Sequence, residues 1–164
     1  MQNQADIRNH TVIRPPRRQD MDALYALDCL CFRPGIAYSR SELRFFLNHP
    51  RSLSFIAETA PGSIAGFAIV ETYPSGGKNL GHIITIDVDP VLRRHGIGLL
   101  LMDAMERRLR DAGAVAVRLE VAVDNAPAQN FYHRLGYRQT GRIRGFYMGT
   151  LDALTMEKEL EPFS

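Results

Sequence analysis

The chain has 164 residues, of which 45% are hydrophobic, and a formal net charge of +2. That suits one domain with a real core, and it excludes the large one-signed field expected of a surface built for nucleic acid or membrane. The first ten residues are polar with no apolar run of signal-peptide type, and no segment reaches the length of a membrane span, so the expectation is a soluble, cytoplasmic protein.

Residues 1–10 read as a flexible tail and 11–160 as a single domain. Thr11 to Arg14 is a short strand stopped by Pro15-Pro16. From Asp20 to Cys31 the apolar set Met21, Leu24, Leu27, Leu30 and Cys31 recurs every three to four residues, which predicts a helix. Cys29 and Cys31 lie two apart on it. They are poorly placed for a disulfide or a closed zinc site, and read as buried apolar thiols, so no metal is expected. Phe32 to Tyr38 is a loop unusually apolar for its length, and Ser39-x-x-Glu42 is a capping box opening a second helix.

Ser52 to Glu58 and Ile64 to Thr72 read as strands around a Pro61-Gly62 turn, and Pro74 to Gly77 as a further turn before a strand at 82–88. A helix over about 98–112 ends at Gly113, a fitting residue just past a helix. Val115 to Val123 is a valine-rich strand. Asn125 caps a helix carrying Phe131, Tyr132 and Leu135, and 137–160 reads as two strands turning near Gly149-Thr150. The order βααβββαβαββ predicts an α/β (α+β) fold: a mixed sheet of about seven strands with helices on both faces. The strands at 82–88 and 115–123 should be parallel neighbours joined by a right-handed helical crossover.

The richest stretch is Arg93-Arg94-His95-Gly96-Ile97-Gly98, between the apolar strand Ile83 to Val88 and the helix that opens at Leu99. The first amides of a helix have no partner within it and carry the positive end of its dipole. Gly96 and Gly98 let an anion approach the backbone, and Arg93 and Arg94 add charge. The loop therefore predicts a phosphorylated ligand, a pyrophosphate best of all, held by the amides of Arg94, His95, Gly96, Ile97, Gly98 and Leu99. It is neither a Gly-x-x-x-x-Gly-Lys-Ser/Thr loop nor a Gly-x-Gly-x-x-Gly loop.

Val88-Asp89-Pro90 followed by Arg93-x-x-Gly96-x-Gly98 resembles the acetyl-CoA pyrophosphate motif of the GNAT acyltransferases. Asn125-x-x-Ala128, Phe131-Tyr132 and Leu135-Gly136-Tyr137 resemble that family's second signature. Within the family the chain is most similar to protein N-terminal acetyltransferases, including the ribosomal-protein-alanine type. The closer resemblance lies in Leu119-Glu120-Val121, in Cys31-Phe32, Pro34 and Tyr38-Ser39, and in Phe146-Tyr147, Asp152-Ala153 and Met156. Ala122, where the family usually has Arg, Phe146 in place of a first tyrosine, and the inserted Arg33 depart from that pattern. The resemblance implies the GNAT fold over about 11–160 and acetyl-CoA as cofactor. It implies that Ile86, Asp87 and Val88 hold the pantetheine arm, with the Val88 N–H facing the thioester carbonyl.

Acyl transfer to an amine needs a proton acceptor, an N–H donor for the carbonyl and a proton for the departing thiolate. Glu120 is a lone carboxylate in an apolar strand, where removal from water makes it a better proton acceptor. It coincides with the family's catalytic glutamate, and its other reading is a partner for an arginine on the sheet face. Tyr132, a phenol, can protonate the thiolate, and Asn125 can cap its helix and touch the cofactor. His82 is a second proton-transfer candidate, or a solvent-facing histidine at a strand end. Phe32, Pro34, Tyr38, Phe146 and Tyr147 would line the approach of a peptide N-terminus, and otherwise are aromatic satellites of the core. The expected acceptor is a protein α-amine. The alternatives are a small-molecule amine such as a polyamine, amino acid or aminoglycoside, and a CoA-binding module without turnover. A monomer and a homodimer are both compatible with the sequence.

Overall fold

The computed structural model describes residues 4–162. The first element corrects the expected tail: residues 4–10 form a helix, α1 (Gln4–His10). Ile7 packs on the main core, and the carbonyls of Ile7 and Arg8 accept bonds from Thr11. There follow β1 (Val12–Arg14), α2 (Met21–Cys31), α3 (Arg40–Asn48), β2 (Ser52–Ala60), β3 (Ser63–Ser75), β4 (Lys78–Val88), α4 (Ile97–Asp111), β5 (Ala114–Ala122), α5 (Ala126–Arg134), β6 (Arg138–Tyr147) and β7 (Leu151–Glu159).

The seven strands form one sheet in the order β1-β2-β3-β4-β5-β7-β6. All neighbours are antiparallel except β4 and β5, the parallel pair expected from the helical crossover between them. The β3–β4 hairpin is longer than the turn signals suggested. Gly76 and Gly77, both at positive φ, make a two-residue turn, and Pro74 lies within β3. β3 has lost β2 as a neighbour there, so a residue without an N–H is tolerated on the open side.

Two apolar layers cover the sheet. One face packs Ala57, Ala68, Val70, Ile83, Val117, Leu119 and Val121 against Ile97, Leu101, Met105 and Leu109 of α4 and Tyr132 of α5. The other packs Ile56, Phe67 and Ile69 against Leu24 and Leu27 of α2 and Leu43 of α3. Local capping follows the sequence. Ser39 and Glu42 form the reciprocal box of α3, the Asn125 side chain accepts from the Ala128 amide, and Gly113 sits at φ +78° just past α4. Helix α2 differs in detail. Leu30 and Cys29 are exposed and Cys31 is only partly buried, while Asp28 is fully buried in their stead. Among the described residues no helix is long and apolar enough to cross a membrane.

Candidate active site

The site lies where the parallel strands part. β4 and β5 pair from Asn79↔Ala114, with a register shift before Leu80↔Ala116, to His82↔Arg118 and no further. Beyond His82, β5 pairs only with β7, so β4 from Ile83 to Val88 has an open side. A bulge between the Ile69 and Val70 pairings places Ile84 at this divergence. Alternation along a strand says which amides face the gap. The Asp89 N–H donates to Ala65 O in β3 at 2.8 Å, so the amides of Val88 and Ile86 point the other way, into the gap. The Val88 carbonyl, on that side too, accepts from Cys31 Sγ at 3.3 Å and Arg93 Nε at 3.2 Å.

Asp87 departs from the cofactor role expected of it. The same alternation turns its amide toward β3, and its carboxyl group is buried on the α2 side.

At the end of the gap α4 begins. Its first intrahelical bond runs from the Leu100 N–H to Gly96 O at 3.1 Å, so the amides of Ile97, Gly98 and Leu99 have no partner inside the helix. Arg94 at φ 65° and Gly96 at φ +82° curl the preceding loop in the manner of an anion nest. The His95 ring bonds the carbonyls of Leu92 and Arg93 and so braces the loop. Gly98 allows α5 to close in: a Cβ there would stand 3.2 Å from Phe131 Cζ. One neighbour was not legible in the sequence. The stem of Arg8, from the supposed tail, lies over Gly96, with Cδ 3.0 Å from where a Cβ would be.

Glu120 is not alone, and its partner is not an arginine. His82 Nε2 lies 2.6 Å from Glu120 Oε2, with 31% and 16% of the two side chains exposed. The pair spans β4 and β5 where they separate. Tyr38 and Tyr147 lie near it. Burial above all raises both hydroxyls, with the Glu120 charge as a smaller cause, and pushes Tyr147 up to about 12. The Tyr38 hydroxyl donates to Ile84 O at 3.2 Å. Tyr132 is buried against Phe131 and Tyr137, and burial followed by the nearby Asp87 raises its hydroxyl well above the usual phenol range.

The two segments read as the acceptor side come together. A Cβ on Gly35 would collide with the sulfur of Met148, so the 32–38 loop touches the β6–β7 turn. Arg33 ties that loop to Asp124 beyond β5 at 3.0 Å. The hairpin is fixed in turn by Asp152, which accepts from the Gly145 amide at 2.9 Å and from Arg142 at 2.7 Å. Phe146, Ile143 and Met148 remain exposed on its rim.

An open strand side leading to uncovered helix amides is the cradle that a long phosphorylated thioester needs. The chain matches the model of the acetyltransferase (GNAT) family over residues 21–137. It belongs to that family. The GNAT chain is 30% identical to an N-alpha-acetyltransferase of Sulfurisphaera tokodaii, over 90% of this chain and 92% of that one. It is 31% identical to the ribosomal protein bS18-alanine N-acetyltransferase of Salmonella typhimurium, over 73% and 80%. Its fold matches the crystal structure of Ard1 from Thermoplasma volcanium with a TM-score of 0.82 and 27% identity, covering 93% and 99% of the two chains. The protein is thus an acyltransferase of GNAT type, and its residues fit acetyl-CoA as the acyl donor.

Proposed function

We propose that this GNAT enzyme acetylates the N-terminal α-amine of a protein, with Glu120 as the base, His82 as its proton-relay partner and Tyr132 as the acid. The observation that carries the reading is the His82–Glu120 pair, held at 2.6 Å in the mouth of the β4–β5 gap. The 32–38 loop and the β6–β7 turn touch each other, and Tyr38 and Tyr147, at their ends, lie near Glu120. The bound cofactor supplies the thioester carbonyl that the amine attacks.

The residues of the chain do the rest. The amides of Ile86 and Val88 face the gap, where the Val88 N–H polarises the carbonyl. The loop amides from Arg94 to Leu99 hold the pyrophosphate, and Asn125 adds a contact from its cap position. An α-amine has a pKa of about 8, against about 10.4 for a lysine side chain, so a carboxylate backed by an imidazole is enough to take its proton. Tyr132 stays protonated at neutral pH and can give its proton to the leaving sulfur. Phe32, Pro34, Tyr38, Phe146 and Tyr147 flank the entering chain, and the Tyr147 hydroxyl, protonated as well, is a hydrogen-bond donor for a peptide carbonyl.

The named relatives support an α-amine acceptor, since one carries N-alpha-acetyltransferase and another alanine N-acetyltransferase in its name. Turnover of acetyl-CoA against N-terminal peptides and small amines tests the reading. Peptides with free α-amines should be the better acceptors, and turnover only with polyamines or aminoglycosides would overturn it.

A further inference from the structure

Beneath the acceptor-side loop lies a pair of acids that acyl transfer does not use. Asp28 of α2 and Asp87 of β4 are both fully buried, and their carboxyl groups lie close enough to act on each other. Each has one oxygen engaged elsewhere. Asp28 Oδ2 accepts the Tyr38 amide at 2.6 Å, and Asp87 Oδ1 accepts the Thr85 hydroxyl at 2.5 Å. The other two oxygens, Asp28 Oδ1 and Asp87 Oδ2, are buried with no hydrogen-bond donor among the described residues. Two carboxyl groups can bond through such oxygens only when one of them carries a proton.

The surroundings favour that proton. Glu42 of α3 presents a further negative charge to Asp28, and Arg93 is the cation facing Asp87. The Cys31 thiol and the hydroxyls of Tyr132 and Tyr38 also face the pair, all three kept protonated chiefly by burial.

We propose that Asp28 and Asp87 share one proton and, as a bonded pair, latch the acceptor-side loop to β4, which makes them positioning residues for the amine. This rests on the reading of the 32–38 loop as the acceptor side. The segment of β4 without β5 beside it is held from α2 and its loop at three successive places. Tyr38 Oη bonds Ile84 O, the acid pair joins at Asp87, and Cys31 Sγ bonds Val88 O. Asp28 also fixes the backbone of Tyr38, whose hydroxyl stands beside Glu120. Loss of the shared proton puts two like charges together out of water and opens the central contact.

Asp28→Asn and Asp28→Ala separate the latch from simple packing. In Asp28→Asn the side-chain amide can donate from its nitrogen to Asp87 Oδ2 while its oxygen keeps the Tyr38 amide, with the same single negative charge and no proton to lose. Asp28→Ala takes away the partner of both the Tyr38 amide and the Asp87 carboxyl group. With an N-terminal peptide as acceptor, Asp28→Ala should raise the acceptor KM about tenfold and leave the acetyl-CoA KM within about twofold. Asp28→Asn should restore the acceptor KM.

As pH rises, the ratio of wild-type to Asp28→Asn acceptor KM should rise, because the pair loses its shared proton and the ratio cancels the titration of the amine itself. An Asn variant as impaired as the Ala variant, equal effects on both substrates, or a ratio flat with pH would each overturn the latch. Should the wild type acetylate no peptide α-amine, the proposed function fails and thermal unfolding decides the latch separately. A carboxyl group whose folded-state pKa is raised stabilises the fold on the acid side, and that stability is lost as pH rises through the folded-state value. The wild-type Tm should therefore fall relative to Asp28→Asn as pH rises, and parallel curves would contradict the proposal.

Discussion

Gly96→Ala tests the cofactor cradle with a built-in control. Gly96 has φ +82°, and a Cβ there would stand 3.0 Å from Arg8 Cδ. An alanine forced into the left-handed region costs about 1–2 kcal/mol. Gly62, in the turn between β2 and β3, has φ +79° and nothing within 4 Å of the position a Cβ would take. Gly62→Ala therefore carries the same backbone cost outside the loop that opens α4. Both variants should lose roughly 2–4 °C of Tm for each kcal/mol. Only Gly96 belongs to the loop whose amides precede the first bond of α4. If the chain relieves its strain by turning those amides, a cost of about 1.4 kcal/mol appears as a tenfold weaker grip on the cofactor. Steady-state kinetics in acetyl-CoA, with CoA binding by calorimetry, should show a KM and Kd about tenfold higher for Gly96→Ala and within about twofold of wild type for Gly62→Ala. A Gly96→Ala enzyme with lowered Tm and unchanged acetyl-CoA KM would refute the assignment of the loop amides to the pyrophosphate.

Glu120→Gln keeps an acceptor for His82 and removes the proposed base, so kcat should fall by about a hundredfold or more with the acetyl-CoA KM unchanged; pre-steady-state acetyl transfer would show it. Tyr132→Phe should also lower kcat by about a hundredfold, and wild-type rates in both variants would remove the mechanism while leaving the cofactor site intact. On the acid side, Arg14 holds the Asp20 carboxylate below its usual range through bonds of 2.8 and 2.9 Å. A lowered folded-state pKa gives stability that is present above about pH 4 and is lost as pH falls through the folded-state value. Asp20→Asn should cost about 2 kcal/mol at neutral pH and flatten the acid limb of a Tm-against-pH curve.

The sequence was most legible where one signal was both local and periodic. Leu101, Met105 and Leu109 recur along α4 and all three are buried. Ser39 and Glu42, and Asn125 with Ala128, carry their helix starts in four residues each. The parallel pairing of β4 and β5 followed from the helix between them. What stayed hidden depends on register between distant segments. His82 and Glu120 were separate candidates 38 residues apart, and only the last in-register step of two parallel strands makes them a pair. Asp28 escaped because apolar periodicity in α2 favoured Leu30, whereas the fold buries the acid against Asp87 and leaves the leucine outside. Residues 4–10 read as a tail because their polar composition masks one anchoring apolar residue, Ile7. The sequence motif groups Asp87 with its neighbours at the cofactor, but a strand turns alternate residues to opposite sides, so of the three Ile86 and Val88 present their amides to the gap.

The most direct test offers the wild-type enzyme one peptide that has a free α-amine and an internal lysine, then locates the acetyl group by fragment-ion mass spectrometry. A single acetyl group should appear on the α-nitrogen and be lost in Glu120→Gln. Acetylation confined to the lysine side chain would contradict an α-amine acetyltransferase.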